Sequence, residues 1–228
     1  MRHQDTARPA EALRATWWTS AAVMTAALLG LSVLRLHAVT GTAVDRAVLS
    51  WMVDHRHPAL TSWAVAITDV GSPLGVAILA GTLGGLLWWR ARQVVTALSV
   101  VATVAGAAAT SAVLKVAVAV HRPPPSVQLM AETDHSFPSG HVTATVALCG
   151  MAAVVLGPSA RPAMRLWLAC TAAAAITAVS LTRLYLGVHW LTDVLGGLLV
   201  GGLAVLAGTV LTARSTPRTE CAFYSPQS

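Results

Sequence analysis

The sequence has few charged residues for its length. Only 11% of its 228 residues are Asp, Glu, Lys or Arg, whereas a soluble globular domain carries about 25%. Hydrophobic residues make up 55% of the chain, and the mean hydropathy is +0.66. This scarcity of charge argues against a soluble enzyme and a disordered chain, and it predicts a polytopic membrane protein.

Cysteine is also scarce. Three cysteines (Cys149, Cys170 and Cys221) are an odd number, and two of them lie in apolar runs, so we expect small core residues rather than a disulfide framework. The formal net charge is +6, but few of the basic residues cluster on a segment that looks exposed. We therefore expect no nucleic-acid partner.

Long apolar runs predict an all-α bundle of six transmembrane helices, because about 20 apolar residues cross the hydrocarbon core. The predicted spans are 17–36, 74–89, 94–120, 140–156, 163–184 and 190–211. The first run is longer than the apolar part of a secretory signal, so we interpret it as a retained anchor. Before the second span, residues 43–57 predict an amphipathic interfacial segment. Residues 60–69 predict a short helix, broken at Val70-Gly71-Ser72-Pro73.

Basic residues in the loops predict the orientation. With the N-terminus in the cytoplasm, nine basic residues face inward and six outward, and most acids lie outside. The chain is then a membrane domain at 17–211 with cytoplasmic tails at 1–16 and 212–228. The chain uses Arg in place of nearly all Lys and is rich in Ala, which is typical of a high-GC bacterium. We therefore expect the protein to lie in a bacterial plasma membrane, with the lipid bilayer as its partner.

Two cations lie near the outer end of the third span. Lys115, the only lysine, and Arg122 are seven residues apart, close to two helical turns, so we expect both on one helix face. Pro123 is expected to end that helix. A lone lysine could snorkel to the interface, but two cations on one face indicate an anion site.

A second cluster, Phe137-Pro138-Ser139-Gly140-His141, begins the fourth span on the same side. Ser139 suits an N-cap. Free backbone N–H groups at a helix start, and the close approach that Gly140 allows, favour anion binding. The alternative is an ordinary capped helix with a surface histidine at position 141.

A third cluster occupies the turn between the fifth and sixth spans. Arg183 ends one helix, and Gly187 gives the backbone freedom to turn. His189 and Asp193 are four residues apart and share a helix face. An aspartate there keeps one ring nitrogen protonated and frees the other as nucleophile or base. The alternatives are a structural His–Asp pair and a metal site, although no further ligand stands at suitable spacing.

The six-span arrangement brings the three clusters to one side of the membrane. Three cations, a helix N-terminus and two histidines, one backed by a carboxylate, are what phosphoryl transfer requires. The cations and N–H groups hold the phosphoryl oxygens and their transition-state charge. One further group attacks phosphorus, and another protonates the leaving alkoxide.

In order and spacing, these clusters resemble the three signature motifs of the type 2 phosphatidic acid phosphatase superfamily. That superfamily includes membrane lipid phosphatases and the soluble vanadium-dependent haloperoxidases. The resemblance runs from residue 115 to residue 193. One departure is Thr182, where the family usually has serine.

The resemblance implies a role for each matching residue. His189 would be the nucleophile that forms a phosphohistidine, Asp193 would orient it, and His141 would be the general acid. The phosphoryl group would be bound by Lys115, Arg122, Ser139, Gly140 and Arg183. The resemblance also implies that neither a metal nor another cofactor is needed.

We therefore expect an integral membrane lipid phosphatase that acts on a phosphomonoester or diphosphate head group. The candidate substrates are phosphatidic acid, phosphatidylglycerol phosphate and a polyprenyl diphosphate. The alternative is a non-catalytic lipid-phosphate binder or transporter, although binding alone needs neither the histidines nor the carboxylate. The 120–137 loop is either a rim whose Glu132, Asp134 and His135 adjust access to the pocket, or a plain connection.

Overall fold

The structure is all α-helical, as the sequence predicts. A computed structural model describes residues 7–215. Its α-helices are α1 (Ala7–His37), α2 (Ala43–Asp54), α3 (Pro58–Val70), α4 (Pro73–Ala91), α5 (Val94–Val118), α6 (Gly140–Leu156), α7 (Pro162–Tyr185) and α8 (Leu191–Ser215). One turn of 3-10 helix, Pro125–Val127, lies in the loop between α5 and α6.

Local capping sets several of the helix boundaries. Thr42 and Asp45 form a capping box at the start of α2, in which Thr42 N donates to Asp45 Oδ2 over 2.8 Å. Ser72 caps α4 by accepting a hydrogen bond from Gly75 N, and Pro73 occupies the first helical position. The predicted break between α3 and α4 is therefore confirmed, and the two helices meet at an angle of 51°.

Four helices are long and apolar enough to cross a membrane: residues 15–37 of α1, all of α5 and α7, and residues 191–213 of α8. The bent pair of α3 and α4 makes a fifth candidate. Helix α6 is apolar but only 17 residues long. The described chain thus has four or five candidate spans by length and composition, and the count of six stays a prediction.

Glycines on α8 let it pack tightly against α6. A Cβ atom on Gly201 would lie 2.6 Å from Val146 Cβ, and one on Gly197 would lie 2.8 Å from the Ser139 carbonyl oxygen. Small residues at a helix interface allow such close approach inside a membrane. Because Ser139 N also donates to the Asp193 carbonyl over 3.0 Å, the first turns of the two helices are held side by side.

Large apolar side chains cover the outer surface of the bundle. On α7 these include Leu166 and Trp167, and on α1 they include Trp18 and Leu29. Only 6% of the candidate spans in α1 and α7 is buried inside the protein. Such outer faces suit lipid rather than water, and the chain is a multi-pass membrane protein.

The structure corrects the prediction that Lys115 and Arg122 share one helix face. Helix α5 ends at Val118, because Ala119 turns left-handed with a φ of 48° and its N–H closes the helix on the Lys115 carbonyl. Arg122 therefore lies in the following loop. Pro123 is not the residue that ends the helix.

The structure describes part of each segment that flanks the predicted membrane domain. Helix α1 already begins at Ala7 and α8 continues to Ser215, so part of each predicted tail is helical. The rest of those tails, 1–6 and 216–228, lies outside the described residues.

Asp45, expected on an interfacial segment, is buried and accepts hydrogen bonds from Thr192 N and Oγ1.

The cysteine prediction is only partly met. Cys149 is half-buried and Cys170 is exposed on α7, so Cys170 is not a core residue. Cys221 lies outside the described residues.

The turn before His189 depends on Gly187. Its φ is +69°, and a Cβ atom there would lie 2.7 Å from Arg56 Nη2 and in hard contact with the Val127 carbonyl oxygen. We expect Gly187→Ala to lower the free energy of unfolding by about 1–3 kcal/mol, from backbone strain and this contact. Thermal unfolding in detergent measures the loss. Gly85→Ala in α4 is the control, because a Cβ there meets nothing within 4 Å, and equal melting of both variants would contradict the argument.

Candidate active site

The three sequence clusters meet at one end of the bundle. Arg122 Nη1 donates to the Val188 carbonyl over 2.7 Å, which joins the loop after α5 to the turn before α8. Lys115 Nζ, in the last turn of α5, donates to the His135 carbonyl over 2.5 Å. The ends of α5 and α7 therefore lie beside the beginnings of α6 and α8.

His189 is held by one partner on each ring nitrogen. Its Nδ1 lies 3.3 Å from Asp193 Oδ2, and its Nε2 lies 3.1 Å from Arg122 Nη1. A guanidinium can only donate, so Nε2 accepts and the proton sits on Nδ1. His189 precedes the first residue of α8, yet the predicted pair with Asp193 forms. The imidazole thus directs its lone pair toward Arg122.

The surroundings of His189 keep it neutral. Burial is the main cause that lowers its pKa well below the ordinary value of 6.5, and the positive charges of Arg122 and Arg183 add to the effect. His141, in the first turn of α6, lies near enough for its charge to contribute as well. A neutral, buried imidazole whose unprotonated Nε2 faces a cation has the form that a nucleophile needs.

Asp193 is buried and takes donors that the sequence did not point to. Its Oδ2 accepts from Ser136 Oγ and, over 2.8 Å, from Trp190 N. Its Oδ1 lies 3.4 Å from Arg35 Nε of α1. Ser136 lies two residues before Pro138 and belongs to none of the sequence motifs. Arg35 lies at the end of the first span, where basic residues are common.

Two loop carboxylates contact the three predicted phosphate-binding cations. Glu132 pairs with Arg183 Nη2 and lies 3.6 Å from Arg122 Nη2. Asp134 pairs with Arg122 and, over 3.0 Å, with Lys115. Burial opposes ionisation of Asp134, but hydrogen bonds and charges from Arg122 and Lys115 lower its pKa below the ordinary value of 3.8. The loop therefore contacts all three cations that the sequence predicts to bind phosphate.

Some polar atoms on the motif residues have no partner. Arg183 is fully buried, with Nη1 donating to Thr68 Oγ1 over 2.9 Å, while its Nε has no hydrogen bond among the described residues. Ser139 Oγ is likewise buried and unpaired within the described part of the chain. Buried polar atoms without partners are rare and call for an explanation. Both can bind a ligand oxygen.

Helix α6 begins at Gly140 with Ser139 as its N-cap residue, as predicted, but the Ser139 side chain makes no capping hydrogen bond. The nearest neighbours of a Cβ atom on Gly140 would be Lys115 Cε and Ser111 Oγ at 3.9 Å and Pro73 Cγ at 4.0 Å, which is ordinary contact. Packing within the protein therefore leaves room beside Gly140, close to the Lys115 side chain.

Thr182, the one departure from the usual motif, uses its side chain for a hydrogen bond within its own helix. Its Oγ1 donates to the Val179 carbonyl over 2.8 Å. Serine can make the same bond, so the extra methyl group leaves this contact unchanged.

The described residues contain no group of three or more His, Cys, Asp and Glu side chains arranged to hold a metal ion. The groups that can bind a phosphoryl group are the three cations, the two unpaired donors and the start of α6.

Comparison with known proteins gives one family and two related structures. Residues 96–217, more than half of the chain, match the model of the PAP2 superfamily. The crystal structure of a transmembrane PAP2-type phosphatidylglycerolphosphate phosphatase from Bacillus subtilis has a TM-score of 0.72 at 24% identity, covering 85% of this chain and 98% of that one. The crystal structure of Aquifex aeolicus LpxE has a TM-score of 0.58 at 21% identity, covering 74% and 96%. No curated protein sequence matches the chain significantly.

The loop carboxylates compete with any anion for the same cations. We expect Glu132→Gln and Asp134→Asn each to strengthen inhibition by inorganic phosphate about three- to tenfold, since a partly exposed ion pair contributes about 1 kcal/mol. The inhibition constant for phosphate measures the effect. Asp54→Asn, an exposed acid on α2, is the control for net charge. Unchanged or weaker inhibition in both loop variants would contradict the competition.

Proposed function

The chain belongs to the PAP2 superfamily and is a phosphatase of that family, and we propose that it removes phosphate from a lipid phosphomonoester or diphosphate through a phosphohistidine. One observation carries the proposal. The neutral His189 imidazole directs its Nε2 lone pair at Arg122, which shares the loop acids Asp134 and Glu132 with Lys115 and Arg183, while Asp193 contacts its other nitrogen.

In the first step, His189 Nε2 attacks phosphorus, and the bond from phosphorus to the leaving oxygen breaks. Arg122 Nη1, which contacts Nε2 in the absence of substrate, turns to a phosphoryl oxygen. Lys115 and Arg183 hold the other oxygens, so the developing charge is met by groups already in place. Asp193 stabilises the imidazolium form of the ring through the proton on Nδ1.

His141 donates a proton to the leaving oxygen in that step. A dianionic phosphate offsets the surrounding cations and favours the protonated form of this histidine. Once deprotonated, His141 takes a proton from water, and the resulting hydroxide attacks the phosphohistidine. Phosphate leaves, and both histidines return to their starting states.

The membrane setting favours a lipid substrate. The candidates are phosphatidic acid, phosphatidylglycerol phosphate and a polyprenyl diphosphate, whose phosphate can reach the helix ends while the tail stays in the bilayer. The structural likeness to a phosphatidylglycerolphosphate phosphatase supports that substrate class for this chain.

We further propose six spans, with both termini in the cytoplasm and the site on the outer side of a bacterial plasma membrane. Helices α1, α5 and α7 end near the site, while α4, α6 and α8 begin there, which is the alternation that six crossings produce. Helix α6 measures about 26 Å, short of the roughly 30 Å hydrocarbon core, but its polar first turn belongs to the site. The basic loops then face inward.

The chemistry is tested by phosphate release from the detergent-solubilised protein across a panel of lipid mono- and diphosphates. We expect His189→Ala to lose about 10⁴-fold or more in kcat, because the attacking atom is gone. Asp193→Asn should lose about 10²–10⁴-fold, because the ring loses its preferred tautomer. Acid-labile ³²P labelling should depend on His189. Binding of lipid phosphate without release by the unmodified protein would favour the alternative, a binder or transporter.

The charge that a metal ion would supply can come from Lys115, Arg122 and Arg183. We therefore expect EDTA to leave turnover within about twofold of the untreated enzyme. Vanadate, which mimics five-coordinate phosphorus, should inhibit competitively. Turnover that disappears with the chelator and returns with a divalent cation would contradict this mechanism.

A further inference from the structure

We propose that Arg35, in the last turn of α1, is a positioning residue for the nucleophile and acts through Asp193; this inference rests on the proposed function. Arg35 lies outside residues 96–217, which match the family model, and outside the three sequence motifs. Its side chain is completely buried.

Arg35 approaches Asp193 at Oδ1, the carboxylate oxygen that does not contact His189. Its Nε is 3.4 Å from Asp193 Oδ1, and its guanidinium lies 5.9 Å from the centre of the Trp190 ring. Its Nη1 donates to the Ala38 carbonyl over 2.7 Å, and its Nη2 reaches the His121 carbonyl at 3.5 Å. The backbone contacts fix the guanidinium in place against the carboxylate.

The two oxygens of Asp193 have different surroundings. Oδ2 takes Ser136 Oγ and Trp190 N and faces His189, whereas Oδ1 has no hydrogen bond within the described chain. Among the described residues, Arg35 is the only Arg or Lys within 4 Å of this carboxylate. A buried carboxylate without a counter-charge tends to take up a proton. Arg35 therefore keeps Asp193 ionised.

The second acid near Arg35 depends on it less. Asp45 Oδ2 lies 3.9 Å from Arg35 Nη1. Asp45 accepts hydrogen bonds from Thr42 N, Thr192 N and Thr192 Oγ1 at 2.8–3.0 Å. The charge of Arg35 is thus directed chiefly at Asp193.

The state of Asp193 decides which nitrogen of His189 can attack. An ionised carboxylate accepts a hydrogen bond from Nδ1 and leaves the lone pair on Nε2, which agrees with the contact between Nε2 and Arg122. A protonated carboxyl can donate to Nδ1 instead, which moves the proton to Nε2 and removes the nucleophile. By keeping the carboxylate charged, Arg35 selects the reactive tautomer although it does not touch the substrate.

The test compares Arg35→Gln and Arg35→Lys in the full-length protein. Gln removes the charge, so we expect kcat to fall about 10²-fold with KM within about threefold. The acid limb of the kcat profile should move to higher pH, because removal of a neighbouring positive charge favours the protonated form of a carboxyl group. Lys keeps a cation and should restore most of the kcat and the position of the limb.

Other titratable groups near Asp193 stay the same in these variants. They are the neutral His189 and the charged Asp45 and Lys115. Arg46→Gln is the matched control, because Arg46 is exposed on α2 and donates to the Gly41 carbonyl over 2.6 Å. It should leave kcat and the pH profile unchanged.

A double-mutant cycle separates positioning from a loss of folding. If Arg35 acts through Asp193, Arg35→Gln in an Asp193→Asn background should cost no more than about twofold in kcat, because the neutral amide no longer needs a counter-charge. The Asp193→Asn background also removes the buried carboxylate that, without its counter-charge, would destabilise the Arg35→Gln single variant. Additive losses, or a wild-type kcat and pH profile for Arg35→Gln, would overturn the inference. If His189→Ala keeps its turnover, the proposed function itself fails.

Discussion

The carboxylate of Asp193 has to stay charged where water does not reach it. An ionised group in such a place needs hydrogen bonds and a counter-charge, because desolvation costs several kcal/mol. The chain supplies them from separate elements: Ser136 from the loop before α6, Trp190 N from the turn before α8, and Arg35 from α1. The same low dielectric strengthens each of these contacts. Fixing this charge therefore also fixes the direction of the His189 ring.

Helix packing makes this arrangement of charges rigid. Gly197 and Gly201 let α8 approach α6 until the Ser139 N–H reaches the Asp193 carbonyl, so the start of α6 cannot shift without moving the aspartate. Below this contact, α5 and α6 pack through small apolar residues, among them Ala107, Ala144 and Ala147. A core of short side chains has few rotamers to exchange, and the polar groups above it keep their spacing.

Features of the structure that depend on neighbouring residues in the sequence could be predicted from the sequence. The lengths of the apolar runs predicted the helices, and Ser72 and Pro73 predicted the break between α3 and α4. The motif spacing predicted candidate residues that meet at one end of the bundle. The end of α5 was missed because the left-handed turn at Ala119 has no sequence signal, since alanine favours helix. Arg35 was missed for another reason. It lies 158 positions before Asp193 in the sequence, and a basic residue at a span end is explained equally well by the membrane interface.

The two nitrogens of His189 lie in opposite electrostatic surroundings. On the Nδ1 side, two carboxylates, Asp193 and Asp45, lie near the single cation Arg35, and Asp193 is the group nearest to the ring. On the Nε2 side, Lys115, Arg122 and Arg183 outnumber the two loop acids by one positive charge. This difference across a single ring draws the proton to Nδ1 and an anion to Nε2. A phosphate dianion that displaces the loop acids would meet three cations, and the excess positive charge would fall on the oxygens that gain charge in the transition state.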